Sequence, residues 1–138
     1  MSGRPEPIEV YLQIAVELRS KVNSLRIGVF FMIEEISATE LKRRMDAGED
    51  IQLIDVRQPD ENAFAKIPGA RLIPLGDVVR RMKEINPGRE TVIHCKMGGR
   101  SAKAIEVLKQ AGFTGELKNL KGGITAWSNE VDPKVPKY

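Results

Sequence analysis

A chain of 138 residues with a formal net charge of +3 is long enough for one core-forming domain, and its mild charge carries no nucleic-acid signature. Hydrophobic residues at 41% and charged residues at 30% exclude a disordered chain, and aromatics at 5%, without interleaved basic clusters, offer no base-stacking surface. One cysteine and one histidine exclude an intrachain disulfide and a cysteine-based zinc site, and no run approaches the ~20 apolar residues that span a bilayer. Metal, membrane and nucleic acid are therefore not expected as partners, and an unpaired thiol suits a reducing, cytoplasmic setting.

Residues 1–34 read as an N-terminal extension. Gly3, Pro5 and Pro7 predict a frayed start, and Ile8, Tyr11, Leu12, Ala15, Leu18, Val22 and Leu25 form a helical stripe over residues 8–25. Residues 26–33 are apolar and β-rich. This extension is expected to cover part of the core, with Phe30-Phe31-Met32 a partner surface if exposed. From residue 35 to 138 the pattern is that of one domain. Ser37-Ala38-Thr39-Glu40 predicts a capping box opening a helix to about Met45, stopped by Gly48. Ile51 to Val56 is a buried strand with Asp55 and Arg57 at its C-terminal end, where ligands bind in open α/β sheets. A short helix at Asp60–Lys66, a turn at Ile67-Pro68-Gly69-Ala70 and a brief strand at Arg71–Ile73 follow, then a helix over Leu75–Ile85 ended by Asn86-Pro87-Gly88. Thr91–His94 is the next strand and Ser101–Ala111 the next helix, with Ala104, Ile105, Leu108 and Ala111 toward the sheet. Glu116–Leu120 and Ile124–Asn129 supply a last strand and helix. Such alternation predicts an α/β fold: a parallel sheet of about five short strands with helices on both faces.

The chemistry gathers at Cys95-Lys96-Met97-Gly98-Gly99-Arg100-Ser101. A strand ends at the only cysteine, two glycines follow, and a helix begins. Backbone N–H groups and a helix dipole at such a place favour a thiolate, the nucleophilic form. Gly98 and Gly99 are expected to turn backbone N–H groups inward through positive φ. Four residues separate Cys95 from Arg100, one fewer than in phosphatases of the Cys-x5-Arg type, so the ring suits a sulfur atom better than a phosphate. Arg100 and Lys96 are candidates for an anionic donor, Arg100 being read equally as an ion-pair partner of Asp55. Ser101 is read as the helix N-cap, His94 as a core histidine facing away from Cys95, Arg57 as an ion-paired rim residue and Trp127 as core.

Four segments in order resemble the rhodanese-homology domain: Leu53-Ile54-Asp55-Val56-Arg57, Ile67-Pro68-Gly69-Ala70, the Cys95–Ser101 loop, and Asn119-Leu120-Lys121-Gly122-Gly123-Ile124-Thr125-Ala126-Trp127. The tail from Glu130 to Tyr138 is similar to that of the C-terminal rhodanese module in enzymes that adenylate ubiquitin-like sulfur carriers. Lys66 stands where many rhodanese domains have His. The resemblance implies a rhodanese-like fold over residues 35–138 and a thiosulfate sulfurtransferase without cofactor, its intermediate a persulfide on Cys95. It implies a substrate loop of Lys96, Met97, Gly98, Gly99, Arg100 and Ser101, supported by Asp55 and Arg57. It further implies a small anionic sulfur donor, a thiophilic acceptor (cyanide in vitro, a thiol or sulfur-carrier protein in the cell), and a ubiquitin-like carrier or cysteine desulfurase as partner. The competing readings are a non-catalytic rhodanese-like binding module and a Cys-loop phosphatase or arsenate reductase.

Overall fold

A computed structural model describes residues 32–138 together with Ile14, so the helix expected over 8–25 and nearly all of the apolar segment 26–33 lie outside the described residues. The chain divides into two compact units, Met1–Met32 and Ile33–Tyr138, and the second carries the fold. Its elements in chain order are β1 (Glu35–Ile36), α1 (Ala38–Asp46), β2 (Ile51–Asp55), α2 (Pro59–Phe64), β3 (Arg71–Leu72), two 3-10 turns (Leu75–Asp77 and Met82–Glu84), β4 (Glu90–His94), α3 (Gly99–Gln110), β5 (Leu117–Leu120) and α4 (Gly123–Glu130). The five strands form one sheet in the order β1-β5-β4-β2-β3, every pairing parallel. No helix among the described residues is long and apolar enough to cross a membrane.

Strand alternation divides the core in two. Leu53, Val92 and Leu120 point to the face covered by Ala38 and Leu41 of α1 and Ile124 and Trp127 of α4. Ile54, Ile93 and Leu117 point to the opposite face, covered by Ala104, Ile105 and Leu108 of α3 and by Val78 and Ile85. With helices on both faces, the two central strands are apolar at successive positions, as parallel strands are. Cys95 belongs to the α3 face and His94 to the α1/α4 face, so these neighbours point apart.

Four local expectations are corrected. The single helix predicted over Leu75–Ile85 is two 3-10 turns. Gly76 and the β-branched pair Val78-Val79 weaken an α-helix there, while Leu75, Val78, Met82 and Ile85 still pack on the sheet. The capping box at Ser37 is half closed: Ser37 Oγ accepts from Glu40 N at 3.1 Å, but the Glu40 carboxylate turns to Arg43. Helix α3 ends at Gln110, which leaves Ala111 exposed and outside the apolar stripe. It begins at Gly99, with Gly98 and not Ser101 as its N-cap, because Gly98 takes a left-handed φ of 116° that starts the helix early.

Arg57 departs from its reading as well. It is fully buried, not on a rim. Its Nε and Nη2 donate to the two Asp55 carboxylate oxygens at 2.9 and 2.7 Å, Nη2 to Ala65 O at 2.6 Å, and Nη1 to Tyr138 Oη at 2.9 Å. Burial alone would raise the Asp55 carboxyl, yet Arg57, with Asn62 Nδ2 donating at 3.0 Å, holds it below its ordinary value. One side chain thus fastens the end of β2 to the end of α2 and to the tail. Arg57→Met leaves Asp55 as an uncompensated buried charge, and we expect a loss of about 3–5 kcal/mol by urea unfolding near neutral pH; a loss under about 1 kcal/mol would show that the pair does not hold the domain together.

Candidate active site

Cys95 is the first residue after β4, at the C-terminal edge of the sheet, where parallel strands deliver their ends to a common crevice. The residue is 2% exposed. Gly98 N donates to Cys95 Sγ at 3.1 Å, closing the loop back onto the sulfur, and Ser101 Oγ lies 3.3 Å from it. Burial pushes the thiol up, but the Ser101 hydroxyl and the backbone N–H groups of Ser101, Gly98 and Met97 outweigh it, so the net shift is below the ordinary thiol value. The donors are neutral dipoles, most of them backbone. Only Gly98 takes positive φ in this stretch; Gly99 is the first residue of α3.

The loop is shaped from below by α4. Ile124 N donates to Cys95 O at 3.0 Å and Thr125 N to Lys96 O at 3.1 Å. His94 Nδ1 also reaches Cys95 O at 3.1 Å; since a carbonyl only accepts, Nδ1 carries the proton, and burial keeps the ring neutral. With these carbonyls drawn toward α4, the N–H groups that follow are left to face Sγ. Gly123 makes the approach feasible: its φ is 57°, and a Cβ there would fall 2.6 Å from Cys95 O and still nearer Lys96 O.

Apart from Lys96, the charged residues around the mouth are committed to one another. Arg100 does not pair with Asp55; its Nη1 and Nη2 donate to the Glu61 carboxylate at 2.6 and 2.9 Å. Asp55 belongs to Arg57, so neither Asp55 nor Arg57 faces the sulfur loop as a substrate ligand. Tyr138 Oη accepts from Arg57 and donates to Glu61 Oε2 at 2.7 Å, and the Lys96 ammonium lies 4.6 Å from the Tyr138 ring centroid. Lys96 has no ion pair among the described residues, and Met97, 67% exposed, stands at the outer edge of the loop.

The loop residues Cys95, Lys96, Met97, Gly98, Arg100 and Ser101 thus come together, while Asp55 and Arg57 form a separate buried pair. Sequence reasoning missed Glu61, Asn119, Gly123 and Tyr138 as parts of the site. Asn119, at the C-terminal end of β5, lies with its amide against Ser101 and Gly98 O. Its signal was a buried Asn in a strand, a placement β-propensity disfavours; that of Gly123 was the glycine doublet opening a helix.

A family model described as "Rhodanese-like domain" matches residues 37–130. The chain is 40% identical over 104 residues to a protein named "Sulfurtransferase" from Allochromatium vinosum, an alignment covering 75% of this chain and 96% of that one. It is 38% identical over 105 residues to "Probable adenylyltransferase/sulfurtransferase MoeZ" of Mycobacterium tuberculosis, covering 75% of this chain but 26% of that longer protein. Among solved structures it superposes on a rhodanese-like domain protein from Staphylococcus aureus with a TM-score of 0.65 and 33% identity, covering 72% of this chain and 95% of that one.

Two outcomes are expected. Gly123→Ala cannot keep the α4 backbone against the loop, so both the unfolding midpoint and the reactivity of Cys95 toward a small alkylating agent should fall; a variant with unchanged alkylation would show that the loop does not depend on this contact. The Arg100 bond, against burial and with help from Tyr138, holds the Glu61 carboxyl at about 2, against an ordinary 4.5. A depressed carboxylate contributes stability that is fully present above pH 4.5 and lost as pH falls through about 2. Urea midpoints measured across that range should decline less in Glu61→Gln than in the unsubstituted protein.

Proposed function

The chain belongs to the rhodanese-like domain family, and from that premise we propose that it is a sulfurtransferase whose Cys95 carries sulfane sulfur as a persulfide. The observation that carries this reading is a lone, buried cysteine whose sulfur is ringed by neutral hydrogen-bond donors, in a loop one residue shorter than that of the Cys-x5-Arg phosphatases. Donors of this kind, fixed in advance of the reaction, are each worth about 2.7–4 kcal/mol where they stabilise a developing oxyanion.

With thiosulfate as donor, the Cys95 thiolate attacks the outer sulfur. A new S–S bond forms at Sγ, the old one breaks, and sulfite leaves with its electron pair. The outer sulfur then carries the negative charge and takes over the loop N–H donors. An acceptor nucleophile, cyanide in a test reaction or a thiol or thiophilic carrier protein in the cell, attacks that outer sulfur and restores the Cys95 thiolate. No proton transfer to a side chain is required, which agrees with His94 being neutral, buried and turned to the far face. No metal or organic cofactor enters these steps.

Of the two cations nearest the loop, Arg100 is held by Glu61, so Lys96 is the better placed to meet an anionic donor, with Arg100 joining only when Glu61 yields it. The relatives that join an adenylyltransferase to a sulfurtransferase suggest a sulfur-carrier protein as acceptor for this chain also.

Intact mass after incubation with thiosulfate should rise by about 32 Da, the mass of one sulfur held covalently, and return on adding cyanide. Cys95→Ala should remain folded and take up nothing. Sulfur transfer surviving in that variant, or a reactive Cys95 that no sulfane donor loads, would overturn the assignment; the second result would favour a binding module.

A further inference from the structure

Three acceptors surround a single proton at the floor of the loop. Ser101 Oγ lies 3.3 Å from Cys95 Sγ, 2.6 Å from Asn119 Oδ1 and 3.2 Å from Gly98 O. The Gly98 carbonyl already accepts from Asn119 Nδ2 at 3.0 Å and from Ala102 N at 3.1 Å, which occupies both of its lone pairs. The first of those bonds also settles the amide: Nδ2 must face Gly98 O, and Oδ1 must face Ser101. Asn119 is 5% exposed, and Ser101 is the one donor to its Oδ1 among the described residues. The Ser101 proton therefore serves either Asn119 or Cys95, never both fully.

We propose that Asn119 is a positioning residue that governs how readily Cys95 becomes a thiolate, by competing with the sulfur for the one proton of Ser101. The inference rests on the reading of Cys95 as the sulfur carrier. In the thiol form, Cys95 S–H donates to Ser101 Oγ and Ser101 O–H donates to Asn119 Oδ1. When the thiol proton passes to solvent, the hydroxyl turns to the sulfur anion and a buried amide oxygen loses its donor. Loading reverses this. Negative charge moves from Sγ to the outer sulfur, Sγ no longer draws the hydroxyl, and Ser101 returns to Asn119. The competition thus disfavours the empty thiolate relative to the loaded persulfide, while the loop N–H groups serve both.

The charged groups bearing on Cys95 leave this comparison intact. Arg100 on α3 is paired with Glu61 of α2, Lys96 lies over the Tyr138 ring, and the neutral His94 and the Asp55–Arg57 pair belong to the other face of the sheet. None is hydrogen-bonded to the side chain of Asn119 or Ser101, so none loses a partner in the variants below.

The test is a double-mutant cycle on the thiolate titration of sulfur-free protein, followed by ultraviolet absorbance, in the unsubstituted chain, Asn119→Ala, Ser101→Ala and the double variant. Asn119→Ala should lower the Cys95 titration midpoint by about one pH unit, a tenfold gain in thiolate at fixed pH, as Ser101 is freed for the sulfur. Ser101→Ala should raise it by about as much, and in that background Asn119→Ala should shift nothing. A midpoint that Asn119→Ala leaves unchanged or raises overturns the proposal, as does an equal shift with and without Ser101. Asn119→Leu, which keeps most of the side-chain volume, repeats the cycle if thermal melts show the alanine variant unfolded. The titration needs no sulfur donor. Failure of the unsubstituted protein to take up sulfur would remove the transfer reading alone, and a flat cycle the role of Asn119 alone.

Discussion

The site depends on one contact between backbones: the start of α4 against the peptide groups of Cys95 and Lys96. The C=O and N–H of one trans peptide group point in opposite directions, so a peptide whose carbonyl is satisfied on one side turns its amide to the other. Ile124 N, Thr125 N and His94 Nδ1 satisfy those carbonyls, and the amides are left for the sulfur. The contact has room only for hydrogen at Gly123. Strand β4, helix α3 and helix α4 meet at this point, and each is positioned by the sheet through its own apolar face. The loop is therefore held by the backbone of α4 and by the side chains of His94 and Asn119, which bond its Cys95 and Gly98 carbonyls.

A second organising feature is that charge is kept in pairs. Asp55 with Arg57 and Glu61 with Arg100 place two carboxylates and two guanidinium groups near the cysteine with no net excess, and the sulfur is met by dipoles. Away from the site, Arg44 and Lys118 converge on Glu90 and tie α1 to the opposite ends of β4 and β5. A dipole cradle differs from a cationic one in its response to salt. Dipoles fixed in the backbone carry no net charge, so their hold on Cys95 is less open to screening by mobile ions than that of an exposed cation such as Lys96.

Much of this was legible in the residues, and the division is physical. Strands β2 and β4 were readable to within a residue because burial on both faces leaves successive apolar positions, a local signal. The parallel sheet followed from the alternation of strand and helix. The sulfur loop was readable because its cysteine, glycines and helix start are contiguous. What could not be read were choices among distant partners. Arg100 prefers Glu61, 39 positions earlier, over Asp55, since Asp55 is taken by a guanidinium two residues away. Ser101 was expected to cap its helix, and a glycine one turn earlier took that role, freeing the hydroxyl for Cys95 and Asn119. The helix expected at Leu75–Ile85 failed for the converse reason: its apolar spacing suits either kind of turn, and the backbone preferences of Gly76, Val78 and Val79 decided.

The bonds made by Tyr138 join places that are far apart in the chain. The phenol touches Arg57, whose other hydrogens hold the end of β2, and Glu61, whose oxygens hold Arg100. Equilibria that share a group are linked in both directions. A ligand that draws Arg100 away from Glu61 changes what Tyr138 gains by staying docked, and anything that displaces Tyr138 alters the grip of Glu61 on Arg100 by the same free energy. The bonds that dock Tyr138 and those that hold Arg100 thus share one carboxylate, that of Glu61.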